Sequence, residues 1–164
     1  MERVLVIGCP GSGKSVFSRK LRDRTGLPLI HLDRLYWDRD GTTVPPTVFS
    51  ERLTLALEQE RWIIDGNYAS TMERRLQACD TVFFLDYPME VCLAGIEARK
   101  GQLRSDLPWR EAETPDTEFL QFVRRFSADS RPVILSLMER YPEKDWKVFL
   151  SREQAQRYLN GLET

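Results

Sequence analysis

The chain lacks any excess of charge of one sign: 24 lysines and arginines stand against 25 aspartates and glutamates. A dedicated DNA- or RNA-binding domain is ordinarily basic, so nucleic acid is not an expected partner. Long apolar runs are missing as well. None comes near the roughly 20 residues that cross a bilayer, so no membrane partner is expected. Cysteine is scarce. Cys9, Cys79 and Cys92 are odd in number and follow no metal-ligand spacing, a pattern that fits reduced thiols in the cytoplasm better than a disulfide framework. Strand character by the third residue leaves no expected room for a secretory leader. Repeats and low-complexity tracts are absent. A length of 164 residues suits one domain, residues 1–164, around one substantial core.

What the chain does contain is Gly8-Cys9-Pro10-Gly11-Ser12-Gly13-Lys14-Ser15, a full match to G-x-x-x-x-G-K-[ST]. Arg3-Val4-Leu5-Val6-Ile7 before it reads as a buried strand. After it, Val16, Phe17, Lys20, Leu21 and Arg24 recur at helical spacing, and Gly26 then Pro28 stop the helix. Strand, glycine-rich loop and helix together predict a site for a nucleoside triphosphate, here ATP. The glycines let backbone N–H groups turn inward around an anion, and the helix N-terminus adds partial positive charge. Lys14 is expected to reach the β- and γ-phosphates, and the Ser15 hydroxyl to ligate Mg²⁺. Cys9 lies inside this loop, open to modification or simply a small residue tolerated there.

Further short apolar runs end at polar residues: 27–32 at Asp33, 61–64 at Asp65-Gly66, 81–85 at Asp86 and 147–150 at Ser151. That is the pattern of parallel strands buried on both faces. Helical faces separate them: Phe49 with Leu53, Ala56 and Leu57; Met72 with Leu76; Val91 with Gly95 and Ala98; one helix from about Thr117; and Arg152 to Leu159, capped by Ser151 with Gln154 three residues on. The alternation predicts an α/β fold with right-handed crossovers and ligands at the carboxyl ends of the strands. Residues 34–45 and 99–116 break the rhythm. Both are polar, leave the carboxyl ends of strands and read as lids.

Asp65 ends a strand expected beside the phosphate loop, where a carboxylate holds Mg²⁺ directly or through water; an ordinary Asp-Gly turn is the other reading. Asp86 ranks second for that role, because Pro88 and the following helix also suit it to a cap or turn. Asp33 ends the second strand and can orient an acceptor hydroxyl and take its proton, or cap the next segment. His31, the single histidine, reads as a half-buried strand-end residue rather than a base. Of Arg99, Arg104, Arg110, Arg124, Arg125 and Arg131, two or three are expected to touch phosphate. Tyr36, Trp37 and Tyr68 form either an aromatic wall for an acceptor or part of the core.

These motifs resemble the adenylate-kinase-like P-loop kinases. The combination of His31-Leu32-Asp33, Tyr36-Trp37, Trp62-Ile63-Ile64-Asp65-Gly66-Asn67-Tyr68, Phe83-Phe84-Leu85-Asp86 and Ser130-Arg131-Pro132 is similar to the small bacterial group known as DNA topology modulation proteins. The resemblance implies a five-stranded parallel sheet with helices on both faces, an acceptor-binding segment at about 34–60 and a lid at about 99–116. It places Asp33 at the acceptor and Asp65 near Mg²⁺. Arg99 and Arg104 fall in the lid, Arg124 or Arg125 on the helix after it, and Arg152 near the nucleotide base. Pro10, Gly11, Ser12 and Gly13 belong to the nucleotide loop with Gly8, Lys14 and Ser15.

Tyr36 departs from the adenylate kinase pattern, which has an arginine there. So do Asn67, Tyr68 and Ala69, which replace an aromatic, a proline and an arginine. This argues against AMP as the acceptor unless Arg34, Arg39, Arg74 or Arg75 replaces the lost grip. The expected activity is ATP- and Mg²⁺-dependent phosphoryl transfer to a small acceptor, with Lys14, Asp33, Arg104 and Arg125 as catalytic residues. The competing expectation is a regulatory P-loop ATPase that signals to a protein or DNA partner.

Overall fold

Val4, Leu5, Val6 and Ile7 are fully buried, as befits the central strand of a sheet covered on both faces. The computed structural model describes residues 1–101 and 117–163. Strand β1 (Arg3–Gly8) lies in the middle of five parallel strands. The others are β2 (Leu29–His31), β3 (Trp62–Asp65), β4 (Thr81–Leu85) and β5 (Asp145–Phe149), and the order is β2-β3-β1-β4-β5. The α/β fold expected from the sequence is the observed one.

Helix α1 (Lys14–Thr25) follows the glycine-rich loop and ends at Gly26, which takes the left-handed conformation at φ 72°. The helices that follow are α2 (Leu32–Tyr36), α3 (Pro46–Leu57), α4 (Ala69–Ala78), α5 (Met89–Ala98), α6 (Thr117–Asp129), α7 (Arg131–Arg140) and α8 (Arg152–Gly161). Right-handed crossovers place α1 and α8, which touch each other, on one face and α3 to α7 on the other. β1 therefore sends its helix to one face while β3 and β4 send theirs to the opposite one. The carboxyl end of β1 is the switch point where ligands bind in such sheets.

Four local features differ from the sequence expectation. Residues 34–36 are helical, and the rest of the 34–45 stretch closes into a small antiparallel turn: Trp37 bridges Thr43, and Asp38 N–H donates to the Thr42 carbonyl at 2.8 Å. The helix expected from Thr117 is two helices. Pro132 lacks an N–H and is suited to the first turn of a new helix rather than the middle of a long one. β2 is only three residues long, since Leu32 already starts α2. β5 begins two residues early, at Asp145, whose N–H donates to the Asp80 carbonyl at 2.9 Å.

The α8 cap matches expectation, with Ser151 Oγ accepting from Gln154 N–H at 3.2 Å. Among the described residues no helix is long and apolar enough to cross a membrane. The expected lid, 99–116, lies outside the described residues from 102 onward.

Candidate functional site

The phosphate loop is held from two sides. Gly11 and Gly13 take left-handed conformations at φ 85° and 94°, which turn successive N–H groups into a concavity ahead of α1. A side chain at Gly11 would collide with the Cys92 backbone of α5, and one at Gly95 would collide with the Gly11 carbonyl. Loop and helix therefore approach backbone to backbone. On the other side, Arg152 donates to the carbonyls of Ser12 at 2.9 Å and Gly11 at 3.0 Å while its guanidinium covers the Tyr87 ring. The resemblance implies a place for Arg152 near the nucleotide base; in the structure it is bonded to the loop, where it fixes the Gly11 and Ser12 carbonyls.

Lys14 Nζ donates to the carbonyls of Gly8 at 3.0 Å and Cys9 at 3.3 Å. Burial lowers the ammonium's pKa, and Asp65 opposes that shift. Arg19, one turn along α1, donates to Ser15 Oγ at 2.6 Å. A hydroxyl has two acceptor lone pairs, so Ser15 can still offer oxygen to the cleft. Arg19 was missed by sequence reasoning, although its spacing of four residues from Ser15 is the signal that finds it. Cys9 is buried. A hydrogen bond with Cys92 and then burial push its thiol far above the ordinary value, which makes it a poor nucleophile.

Asp65 stands opposite Val6 of β1, two residues before the loop, so the strand carrying it is beside the phosphate loop. Its carboxylate is 2.8 Å from His31 Nδ1, and both residues are buried, at 5% and 7% exposure. His31 is thus fully interior where a half-buried residue was expected. Gly66 follows at φ 129°, packed so closely on Leu32 that a side chain would not fit. Asp86, the second-ranked metal carboxylate, is instead gripped by Arg131, whose Nε and Nη2 lie 2.9–3.0 Å from its oxygens. That bidentate pair ties the end of β4 to the start of α7.

Asp33 lies in the first turn of α2 and accepts a hydrogen bond from the Tyr68 hydroxyl. Burial and the Asp33 charge push the Tyr68 phenol far above its ordinary value, so it remains a donor. Tyr68 is the one non-glycine residue with positive φ (36°) among the described residues. Its strained backbone is held by Arg75, a fully buried guanidinium bonded to the carbonyls of Gly66, Asn67 and Tyr68 and to Thr71 Oγ1. Arg75 therefore fixes a loop rather than gripping an acceptor. Arg74 bridges to Ser50 and Thr54 of α3. Tyr36 packs on Trp37, Phe49 and Tyr68 with centroids 5.0–5.5 Å apart, so the aromatic wall is core on one side and cleft on the other.

One cleft of about 1440 Å³ collects these groups. Its lining includes Pro10, Gly11, Gly13, Lys14 and Ser15 of the loop, then Asp65, together with Asp33, Tyr36, Trp37 and Tyr68. Arg19, Arg99 and Arg152 reach it too, and Arg99 also covers the Phe119 ring. The structure does not bring Arg125 into the cleft. Val123 and Phe126 turn inward on α6, which leaves Arg125 outside, 72% exposed and paired with Asp129 at 3.0 Å. Arg104 and Arg110 lie outside the described residues. Among the described residues no three His, Cys, Asp or Glu side chains gather as an all-protein metal cage would require.

Oxygen donors from Ser15 and Asp65 beside Lys14 fit Mg²⁺, which usually takes one or two protein ligands together with substrate phosphates. No protein-family model matches the chain, and no curated protein matches its sequence. Solved structures do match. A sugar kinase from Janibacter sp. HTCC2649 is 18% identical, with TM-score 0.57 over 98% of this chain and 93% of its own. A shikimate kinase from Bacteroides thetaiotaomicron is 18% identical at TM-score 0.56, over 97% and 94%. A gluconokinase from Sinorhizobium meliloti 1021 is 16% identical at TM-score 0.59, over 98% and 91%. These likenesses do not reach the narrower group of DNA topology modulation proteins. What they establish is the architecture: this chain has the α/β P-loop fold of those kinases.

Proposed function

We propose that the chain is an ATP- and Mg²⁺-dependent phosphotransferase that moves the γ-phosphoryl group of ATP to a hydroxyl of a small acceptor. One observation carries this reading. The phosphate loop with Asp65, and a second carboxylate, Asp33, in an aromatic setting, line a single cleft. A pure nucleotide switch needs the first half alone. The fold shared with kinases of sugars, shikimate and gluconate supports the same reading.

In this reading the loop N–H groups and Lys14 hold the phosphates, and Ser15 and Asp65 hold Mg²⁺. When bound, the ion neutralises charge on the β- and γ-phosphate oxygens. Asp33, fixed by Tyr68, orients the acceptor hydroxyl and takes its proton late in transfer. Arg99, with Arg104 of the 99–116 lid, adds positive charge over the transferring group. The 34–60 segment forms the acceptor wall. The setting we propose is the cytoplasm, which suits three free thiols.

The test is a screen of nucleosides, nucleotides, sugars and small alcohols for ADP release from ATP with Mg²⁺. Release should be slow alone and accelerate with one acceptor class. Steady hydrolysis that no acceptor changes would favour a regulatory ATPase.

A further inference from the structure

The proposed reaction gives no role to the one histidine, yet His31 holds a defined place beside the site. It is the last residue of β2, and parallel pairing sets it beside Asp65, the last residue of β3. The two side chains meet at 2.8 Å, Nδ1 to Oδ2, and are nearly sealed from solvent. An ionised carboxylate can only accept, so the ring donates from Nδ1. One carboxylate oxygen is thereby occupied on the inner side, while Asp65 still lines the cleft beside Ser15 and Lys14.

A lone carboxylate can rotate about two side-chain torsions. One pinned by a buried ring presents its remaining oxygen in a fixed direction. His31 sits where β2 passes into α2 and is buried, which restricts the ring. A carboxylate that meets Mg²⁺ gains from such fixing, as partners behind metal ligands generally show.

We propose that His31 is a positioning residue for the metal: its Nδ1–H aims the Asp65 carboxylate at the divalent cation that accompanies the nucleotide. The inference rests on the reading of Asp65 as a metal-holding group.

The test measures Mn²⁺ affinity by electron paramagnetic resonance in the presence of ADP, together with metal-free ADP affinity and melting temperature. It uses wild type, His31→Asn, His31→Gln, Asp65→Asn and the His31→Gln/Asp65→Asn double variant. Asparagine places an N–H near the Nδ1 position, whereas glutamine places one near Nε2. The expected result is a loss of Mn²⁺ affinity of about tenfold to a hundredfold in His31→Gln. His31→Asn should stay near wild type, metal-free ADP affinity should hold throughout, and the double variant should be no worse than Asp65→Asn alone. If Asp65→Asn weakens Mn²⁺ but His31→Gln does not, the positioning role is wrong while the metal reading stands. If Asp65→Asn leaves Mn²⁺ unchanged, the metal reading itself fails. Equal losses in both His31 variants, or failure of both to fold, would show a purely structural histidine and overturn the proposal.

Discussion

Asn67 and Gly8 are joined by two hydrogen bonds that run in opposite directions. The Asn67 Nδ2 group donates to the Gly8 carbonyl at 2.5 Å, and its Oδ1 accepts the Gly8 N–H at 3.1 Å. A side chain on the β3–α4 loop thus continues the ladder beyond the end of β3 to the last residue of β1, where the phosphate loop begins. Asn67→Ala should cost about 1–3 kcal/mol of stability, the net worth of two hydrogen bonds, and should also weaken ADP binding. Urea unfolding and calorimetric titration with ADP check the two effects. An undisturbed ADP affinity would show that the loop needs no such anchor.

Arg75 should be irreplaceable for the fold rather than for the chemistry. Burial pushes its guanidinium down to about 9, and the carbonyls of Gly66, Asn67 and Tyr68 that surround it accept its hydrogen bonds. Arg75→Met strands those carbonyls and should cost about 3 kcal/mol or more. Arg75→Lys should recover little, since an ammonium cannot match the fork. Wild-type unfolding of either variant would contradict the clamp.

Asp80 governs part of the acid stability. Burial acts to raise its carboxyl, but the Thr81 hydroxyl and the N–H groups of Arg3 and Glu2 outweigh it and hold the group below its ordinary value. A carboxylate lowered in the folded state stabilises the protein above its unfolded pKa of about 3.9, and that contribution disappears as the pH falls through the folded value. Asp80 is exposed, so solvent screens the effect, and Asp80→Asn should be less stable by only a few tenths to about 1 kcal/mol near neutrality. The gap to wild type should close below about pH 3.9. Denaturant midpoints across the acid range measure this, and a gap that is constant with pH would rule the contribution out.

Asp33→Asn should depress transfer strongly while ATP affinity stays within a few-fold. Asp33 lines the cleft from α2 and is bonded to Tyr68. A parallel fall in ATP affinity would place Asp33 in the metal site instead.

The phosphate loop, the strand beside it and six of the eight described helices were legible in the sequence because each is written within a few consecutive residues, whereas α2 and α7 were not separately read. Glycine spacing, apolar runs and caps are local signals. The pair of His31 with Asp65 was not legible, because it depends on which strands are neighbours and in what register, 34 residues apart. Arg75 misled for a related reason: an arginine at a buried helical position makes sense only once the turn whose carbonyls it satisfies is in place. Arg125 looked like a candidate when counted among clustered arginines. The inward face of α6, set by Val123 and Phe126, decided against it. Asp86 met the strand-end criterion as well as Asp65 did; Pro88 and the following helix ranked it second, and the return of Arg131 to its carboxylate adds the separation that sequence could not show.

The most direct measurement follows the phosphoryl group itself. Phosphorus NMR of ATP, Mg²⁺ and the best acceptor from the screen should show a new phosphoester forming together with ADP in wild type. Lys14→Ala should show neither, while keeping its fold. The missing ammonium corresponds to several kcal/mol of transition-state stabilisation. ADP accompanied only by inorganic phosphate, or a phosphoester formed equally well without Lys14, would contradict a phosphotransferase centred on this cleft.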